Sequence, residues 1–295
     1  MAAGSTLPQV LGTAEFVANY ENNSPEWLEL RRSGFGGSEV ATCLGLNPWE
    51  SALTLWYKRT NRIDSEIPDN ASMEWGRRLE SVVMAKFKEN HPELEIWDNV
   101  GTWRNKDRSY QLVNPDGIYR DADGNYGIIE IKTAAYKDDW AYGVPKYYKT
   151  QVQYYLNAFG FDNAYVVLLV AGRDYNEFEL PADDFQQAVD LAAVENFLKY
   201  VDEDKQPDWD GSNSTYETIR KVHPYIENEN VELGQIFETY KKAKAAAAKA
   251  DEYFTLIKSQ ILDKMGFAKS GVYQGKIVLV RTAKGQGLPY LLEKR

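Results

Sequence analysis

Residues 114–133 read NPDGIYRDADGNYGIIEIKT, and this stretch decides the fold. Two short apolar runs, 117–119 and 126–133, flank the turn Asp121-Ala122-Asp123-Gly124-Asn125. Turn residues of this kind between two apolar runs are typical of a β-hairpin. The stretch therefore predicts two antiparallel strands, with Asp116 just before the first and Glu130 inside the second.

The register of this hairpin brings charged side chains together. The indices of paired residues in an antiparallel hairpin sum to a constant, and a loop centred on Asp123 makes that constant 246. Asp116 then lies opposite Glu130, or one place away if the loop is a two-residue Asp123-Gly124 turn. Residues i and i+2 of a strand share a face, so Lys132 lies beside Glu130. Two carboxylates and an ammonium group thus converge within about 5–8 Å.

This group of charges fits a metal site. Carboxylates at such distances repel each other and shift each other's pKa unless a cation lies between them. Hard oxygen ligands suit Mg²⁺ or Mn²⁺, and the Ile131 carbonyl is a further ligand. Such a site orients a phosphate and lowers the pKa of bound water, with Lys132 beside the attacking water. An ordinary exposed hairpin edge with a Glu/Lys pair has the same pattern, so the motif alone does not decide.

Residues outside the hairpin strengthen the metal-site hypothesis. Glu80 lies on a helix predicted over 72–90, where it borders either a cleft or solvent. Gln151 stands near the start of a helix predicted over 147–159, a place where an amide is also a common surface residue. Ser38 follows a glycine-rich turn and is predicted to cap a helix whose free N–H groups suit a phosphate. Arg31 and Arg32, just upstream, can supply charge-assisted hydrogen bonds, although a plain cap explains Ser38 almost as well.

The order of predicted elements is typical of an α/β protein with an appendage. Helices come first, then a mixed sheet with crossover helices, and this core is predicted over 10–205. An acidic, proline-containing linker is predicted over 206–230. The remainder, 231–295, is predicted as a long helix to about residue 265 followed by a short hairpin near 275–281.

Composition excludes several classes of protein. Cys43 is the only cysteine, and both histidines precede prolines, so a zinc site of cysteines or clustered histidines is excluded. No apolar stretch is long enough to span a bilayer, and we expect a soluble cytoplasmic protein without a membrane partner. The net charge is −10, from 34 basic and 44 acidic residues. It is uneven, because 231–295 carries 12 basic and 6 acidic residues, so it does not exclude DNA.

Taken in chain order, eight segments between residues 27 and 180 resemble a known family. They are Trp27-Leu28-Glu29-Leu30-Arg31, Gly36-Gly37-Ser38-Glu39, Leu44-Gly45-Leu46-Asn47-Pro48-Trp49, Trp75-Gly76 with Glu80, Asn114-Pro115-Asp116-Gly117, Glu130-Ile131-Lys132, Gly143-Val144-Pro145 with Tyr148, and Gln151-Val152-Gln153-Tyr154. This order resembles the YqaJ-like viral recombinases of the phage λ exonuclease family, in the PD-(D/E)xK nuclease superfamily. The resemblance implies a restriction-endonuclease-like core, a mixed central β-sheet flanked by helices.

The resemblance also implies a function. It points to a Mg²⁺-dependent exonuclease that digests one strand of linear duplex DNA in the 5′→3′ direction and leaves 3′ overhangs for recombination. Family members of the λ type form ring-shaped trimers and work beside a single-strand annealing protein. We therefore expect a homo-oligomer, DNA ends as substrate, and a phage or prophage protein acting in the cytoplasm of a bacterial host.

By motif position, the resemblance assigns roles to individual residues. Asp116 and Glu130 become metal ligands together with the Ile131 carbonyl, and Glu80 is a further candidate ligand. Lys132 becomes the water-activating residue, Glu80 and Gln151 active-site partners, and Arg31 and Ser38 the site for a 5′-terminal phosphate. Asp107 lies about one residue from another acidic position of the family.

Two other functions remain open at this level. The same core can carry a structure- or site-specific endonuclease, and a catalytically silent DNA-binding scaffold is a third reading. The complete set of Asp116, Glu130 and Lys132 argues against the silent scaffold. Basic residues near the motifs can line a DNA path: Arg31, Arg32, Arg77, Arg78, Lys132, Lys137, Lys146 and Lys149.

Overall fold

The computed structural model describes residues 6–21, 24–64 and 70–294. The chain divides into two compact units, Met1–Tyr225 and Ile226–Arg295. Within the described ranges, no helix is both long and apolar enough to cross a membrane.

The first unit contains both helices and strands. Its α-helices are α1 (Pro25–Arg32), α2 (Gly37–Cys43), α3 (Ala52–Arg59), α4 (Ala71–Asn90), α5 (Lys146–Phe159), α6 (Asp184–Asp202) and α7 (Asn213–Val222). Its strands are β1 (Val10–Leu11), β2 (Ala14–Ala18), β3 (Phe35–Gly36), β4 (Glu95–Asp98), β5 (Thr102–Asn105), β6 (Gln111–Val113), β7 (Gly117–Arg120), β8 (Tyr126–Ala134), β9 (Asn163–Val170) and β10 (Asp174–Pro181).

The strands of this unit form two five-stranded sheets. One has the order β1-β2-β5-β6-β3 and the other, the central sheet, the order β10-β9-β8-β7-β4. In the central sheet β8 runs parallel to β9, whereas the other neighbours are antiparallel. The sheet is therefore mixed, as predicted. Gly117 pairs with Ile129, which confirms the predicted index sum of 246.

A helix packs on each face of the central sheet. Successive buried side chains of β8 point to opposite faces and contact one helix or the other. Ile129 and Ile131 join an apolar cluster with Val83 and Phe87 of α4. Ile128 points to the other face and belongs to the main core, which includes Leu156 of α5. Burial of each such side chain contributes about 1.5–3 kcal/mol, so both faces hold their helix firmly.

α5 is the central helix of the first unit. It packs against α2 and α6 as well as β8 and β9, and nine of its residues are buried. The helix ends at Gly160, whose φ of 70° is a left-handed conformation that favours glycine. Because α5 is fixed on several sides, the side chains along it have little freedom to move.

Some boundaries differ from the sequence-based expectations. α2 is capped by Gly36 and α4 by Asn70, so Ser38 and Ser72 are the second residues of their helices rather than caps. Residues 95–105 form two strands, β4 and β5, rather than one continuous strand. The break is caused by positive φ angles at Asn99 (51°) and Gly101 (72°), which an extended strand cannot contain.

The segment expected as an acidic linker, 206–230, is partly folded onto the core. α7 lies within it and packs on α3 through buried hydroxyl groups. Thr218 Oγ1 lies 2.8 Å from Thr54 Oγ1, and the Thr215 hydroxyl donates to Ser51 Oγ at 2.8 Å. The first unit therefore continues to Tyr225, because the threonines of α7 complete a buried polar network.

The second unit is a long helix followed by a small sheet. The helix is α8 (Gln235–Met265), and the strands are β11 (Ser270–Tyr273), β12 (Lys276–Thr282) and β13 (Tyr290–Glu293). They form an antiparallel sheet in the order β11-β12-β13. The hairpin expected near 275–281 is thus mainly the central strand of three, and the turn before it falls at Gln274 and Gly275, both with positive φ.

A buried acid in α6 makes stability depend on pH. Asp190 is fully buried, and Gln186 donates to its Oδ1 at 2.7 Å while Oδ2 has no hydrogen-bond partner. Burial raises the pKa of Asp190 to about 6 and the charge of Asp183 adds to this, although the Gln186 hydrogen bond opposes it. An unfolded aspartate titrates near pH 3.9, so the folded state binds more protons between about pH 4 and 6.

The Asp190 carboxyl therefore destabilises the fold as pH rises through that window. At each pH we compare the free energy of unfolding of D190N with that of wild type. We expect this difference, D190N minus wild type, to be about 2–3 kcal/mol larger at pH 7 than at pH 4. Urea denaturation at several pH values measures it. D184N, at an exposed position of the same helix, is the matched control. An equal pH-dependent gain in D184N would contradict this assignment.

Candidate functional site

The predicted carboxylate cluster forms at the end of the hairpin. The backbone N–H of Ile131 donates to Asp116 Oδ2 at 2.7 Å, which ties the residue before β7 to the middle of β8. Glu130 is almost completely buried, and Lys132 Nζ donates to its Oε1 at 2.6 Å. The same oxygen accepts a hydrogen bond from Gln151 Nε2 of α5, also at 2.6 Å. The structure thus brings Asp116, Glu130, Lys132 and Gln151 together.

Glu80 lies at the border of this cluster. It is half-buried on α4, and its pKa is raised by burial and by the charge of Glu130, against the opposing effect of Lys132. The far end of α4 is held to the sheet, because His91 Nε2 lies 2.7 Å from the Glu177 carboxylate on β10. The helix is thus anchored at its C-terminal end, and Glu80, in its middle, lies close enough to feel the charges of Glu130 and Lys132.

The cluster contains more acidic than basic groups. Burial raises the pKa of Asp116 well above its usual value and the charge of Glu130 raises it further, whereas Lys132 and the Ile131 N–H lower it. Burial on its own would lower the pKa of Lys132, but the charges of Glu130 and Asp116 outweigh it and raise that pKa. Lys132 therefore stays an ammonium ion, and one cation faces three carboxyl groups.

The donor set fits a hard divalent cation. Glu130 Oε2 is buried and has no hydrogen-bond partner, which is a costly arrangement for a carboxylate oxygen unless a cation binds it. Across the described part of the chain, no three His, Cys, Asp or Glu side chains form a complete metal centre. Mg²⁺ commonly uses only one or two carboxylates and keeps several waters. Asp116 and Glu130, with the Ile131 carbonyl, match that pattern better than a site with three carboxylates.

Arg31 and Ser38 form a second polar site. The Arg31 guanidinium donates to Ser38 Oγ at 2.9 Å, and both residues are exposed. They line a pocket of about 70 Å³ together with Gly36, Gly37 and other residues of the surrounding elements. The guanidinium also lies 5.1 Å from the centre of the Trp27 ring, which holds it over the pocket.

Tyr155 connects the two sites and was missed from the sequence. Its ring lines the pocket of Arg31 and Ser38, and its hydroxyl lies 3.2 Å from Gln151 Nε2, the group that also reaches Glu130. Gln151 and Tyr155 are four residues apart on one helix and therefore share a face. That spacing was the available signal. Tyr148, which belongs to the segment Gly143-Val144-Pro145 with Tyr148, is a further neighbour of the cluster, because its ring centre lies 4.8 Å from Lys132 Nζ.

Two polar residues considered from the sequence lie elsewhere. Asp107 stands in the exposed turn after β5, where its N–H is bound by Asn105 Oδ1 at 3.0 Å. Gln153 is buried and has a structural role, because it donates to the Pro181 carbonyl and accepts from the Asp183 N–H, both at 2.8 Å. Neither contact belongs to the carboxylate cluster.

Comparison with known proteins relates this chain to one family. Residues 26–162 match the family model described as the YqaJ-like viral recombinase domain. The chain is 30% identical over 265 residues to the uncharacterized protein YqaJ of Bacillus subtilis (strain 168), an alignment that covers 87% of this chain and 78% of the relative. An alignment of that length is longer than the first unit, so it extends into the second.

Solved structures share the fold of the core. An alkaline exonuclease, LHK-Exo, from Laribacter hongkongensis superposes with a TM-score of 0.53 at 20% identity, over 68% of this chain and 99% of that one. LHK-Exo in complex with dAMP gives a TM-score of 0.53 at 21% identity, over 62% of this chain and 94% of that one. These matches confirm the predicted restriction-endonuclease-like α/β core.

The close approach of α2 to α5 depends on a glycine. A Cβ atom on Gly37 would lie 2.5 Å from Tyr155 Cε1 and 3.3 Å from Gln151 Cγ, both below normal contact distances. We expect G37A to lower the free energy of unfolding by about 1–3 kcal/mol, as overpacking does. Urea denaturation measures this.

The control is G76A on α4, where the nearest atom to an added Cβ would be Thr133 Oγ1 at 3.5 Å. That substitution should raise stability by about 0.5–1 kcal/mol, because alanine favours helix interiors. A G37A variant as stable as G76A would contradict the tight packing of Gly37 against Tyr155.

Proposed function

Because the chain belongs to the YqaJ-like viral recombinase family, we propose that it is a Mg²⁺-dependent DNA exonuclease. It digests one strand of linear duplex DNA from its 5′ end and leaves 3′ single-stranded overhangs for homologous recombination. The observation that carries this proposal is the buried Glu130 carboxylate, with one oxygen held by Lys132 and Gln151 and the other without a partner, beside Asp116.

Each residue of the cluster has a part in phosphodiester hydrolysis. Asp116 and Glu130 would hold the cation together with the Ile131 carbonyl. When bound, such a cation lowers the pKa of water and neutralises charge on the phosphate. Lys132 keeps its proton and can donate a hydrogen bond from Nζ to the attacking water or to a phosphate oxygen. Gln151 fixes the orientation of Glu130, and Glu80 limits the space on the α4 side.

The pocket of Arg31 and Ser38 explains why the enzyme would act at DNA ends. A guanidinium, a hydroxyl and the first turn of α2 together suit a terminal phosphate. Tyr155 lies between this pocket and Gln151, so a phosphate in the pocket would be close to the carboxylate cluster. This supports hydrolysis close to a 5′-phosphorylated end.

The catalytic assignment is tested by removing single groups. We expect D116N and K132A to lower the release of nucleotides from linear 5′-phosphorylated duplex by roughly 10²- to 10⁴-fold, because each loses charge at the reacting phosphate. Mg²⁺ should raise the melting temperature of wild type, but not that of D116N. D107N, which removes an exposed carboxylate outside the cluster, is the control and should keep full activity.

Activity of K132A and D116N equal to wild type would sink the catalytic assignment. Cleavage of covalently closed circular DNA by wild type would favour the endonuclease instead. A wild-type protein that binds DNA without hydrolysing any of these substrates would favour the silent scaffold.

The phosphate pocket has its own test. Wild type should digest a 5′-phosphorylated duplex faster than the same duplex with a 5′-hydroxyl. In R31A this preference should fall by roughly 5- to 100-fold, because a charge-assisted contact to the phosphate is lost. S38A should give a smaller loss. R32A, at the exposed neighbouring position, is the matched control. If R31A loses activity equally on the 5′-phosphorylated and the 5′-hydroxyl duplex, the result contradicts a specific phosphate site.

The trimeric ring and the single-strand annealing partner stay predictions. Sedimentation equilibrium of the full chain gives the number of subunits directly. A stable monomer would contradict the predicted ring, without affecting the assignment of the carboxylate cluster.

A further inference from the structure

The loop between α2 and α3 holds an exposed tryptophan in a fixed position. The backbone N–H of Trp49 donates to Asn47 Oδ1 at 2.9 Å, and the side-chain amide of Asn47 donates to Thr42 Oγ1 at 2.8 Å. The Asn47 N–H also donates to the Ala41 carbonyl at 3.2 Å. The loop is thus tied to α2 at several points, yet the Trp49 side chain is 66% exposed. Its apolar surface contributes little to the core.

A short series of aromatic contacts leads from Trp49 to the carboxylate cluster. The Trp49 ring lies 5.2 Å from Tyr147, edge to face, and Tyr147 lies 4.5 Å from Tyr148. The Tyr148 ring centre is 4.8 Å from Lys132 Nζ. Trp49 is therefore linked to Lys132 through two tyrosine rings, and its own mostly exposed ring is open to a ligand.

The charges around this aromatic pair are mixed, with two lysines on α5 and the carboxylate of Asp139 near Tyr147. Lys146 and Lys149, on the same first turns of α5 as Tyr147, are exposed. Glu50, next to Trp49 in the sequence, is neutralised by Lys58 at 2.6 Å. Burial raises the pKa of Tyr147 to about 12, and nearby Tyr148 and Asp139 add to this, so the phenol carries no charge. Aromatic rings among lysines are the usual surface for bases of a single strand.

We propose that the Trp49 ring, supported edge to face by Tyr147, is a stacking surface for an unpaired base of the DNA strand that enters the carboxylate cluster. This inference rests on the proposed function, and it adds that the enzyme engages its substrate strand through unpaired nucleotides near the cleaved bond. The surface has no base-specific hydrogen-bonding group, so it accepts any base.

The test separates stacking from hydrolysis by measuring binding in EDTA. The probes are a fluorescently labelled, 5′-phosphorylated oligothymidylate of about twelve nucleotides and the same strand with abasic residues throughout. We expect W49A to weaken binding of the oligothymidylate by roughly 5- to 100-fold. Binding of the abasic strand should change less than about twofold, because that strand has nothing to stack.

Two further variants make the result specific. W49F keeps an aromatic ring and should retain most of the affinity for the oligothymidylate. W209A removes a tryptophan that is equally exposed, at 65%, in the loop before α7, and should leave both affinities unchanged. Thermal unfolding of each variant shows whether the fold is intact, and W49F is informative even if W49A is unstable.

Several outcomes would overturn the proposal. Equal weakening of both strands in W49A would show a structural or charge effect, and no weakening of either would show that Trp49 does not contact DNA. In the latter case, reduced self-association of W49A in sedimentation would identify a second copy of the chain as the occupant. Nucleotide release with Mg²⁺ is measured separately. If the wild type never hydrolyses DNA and W49A still shows the base-dependent loss of binding, the proposed function is refuted and the stacking surface is retained.

Discussion

The architecture of the site depends on one buried carboxylate. Glu130 lies in the middle of a central strand, where an ionised group is costly unless donors surround it. Lys132 provides one donor from the same face of β8, and Gln151 provides another from α5. Well-packed apolar side chains in place of the whole ion pair would often fold as well, whereas loss of Glu130 alone would leave Lys132 and Gln151 without their acceptor. The arrangement is therefore best explained by chemistry rather than by folding.

That constraint explains the position of the surrounding elements. The hairpin register places Asp116 against the Ile131 N–H, so the second carboxylate is set by the same strand pairing that buries the first. Because Gln151 must reach Glu130, α5 cannot shift along the sheet, and Tyr155 on its next turn stays beside α2. The carboxylate cluster and the pocket of Arg31 and Ser38 thus share one rigid support.

Local sequence signals predicted the central part of this structure and failed at its edges. The register of β7 and β8 follows from a short turn, so Asp116 and Glu130 could be placed without the structure. β10 was missed because it is a half-exposed edge strand without a clear apolar pattern. α7 was missed because its threonines are buried only by distant α3. The four-residue spacing puts Tyr155 on the face of Gln151, but its place beside the pocket of Arg31 and Ser38 depends on the packing of α2 against α5, which no local pattern shows.

Charge distribution connects the site to a polyanionic substrate. The chain carries ten more acidic than basic residues, and Glu80, Asp116 and Glu130 concentrate negative charge where a phosphate would have to bind. On the proposed function, a divalent cation reverses the sign of the local charge, because it is the largest charge in such a site. On the same proposal, the exposed lysines of α5 would attract the strand outside the cluster, but they do not neutralise its buried carboxylates. On that proposal, hydrolysis of DNA and binding of the cation are coupled, because a phosphate and the carboxylates can share the site only through the cation.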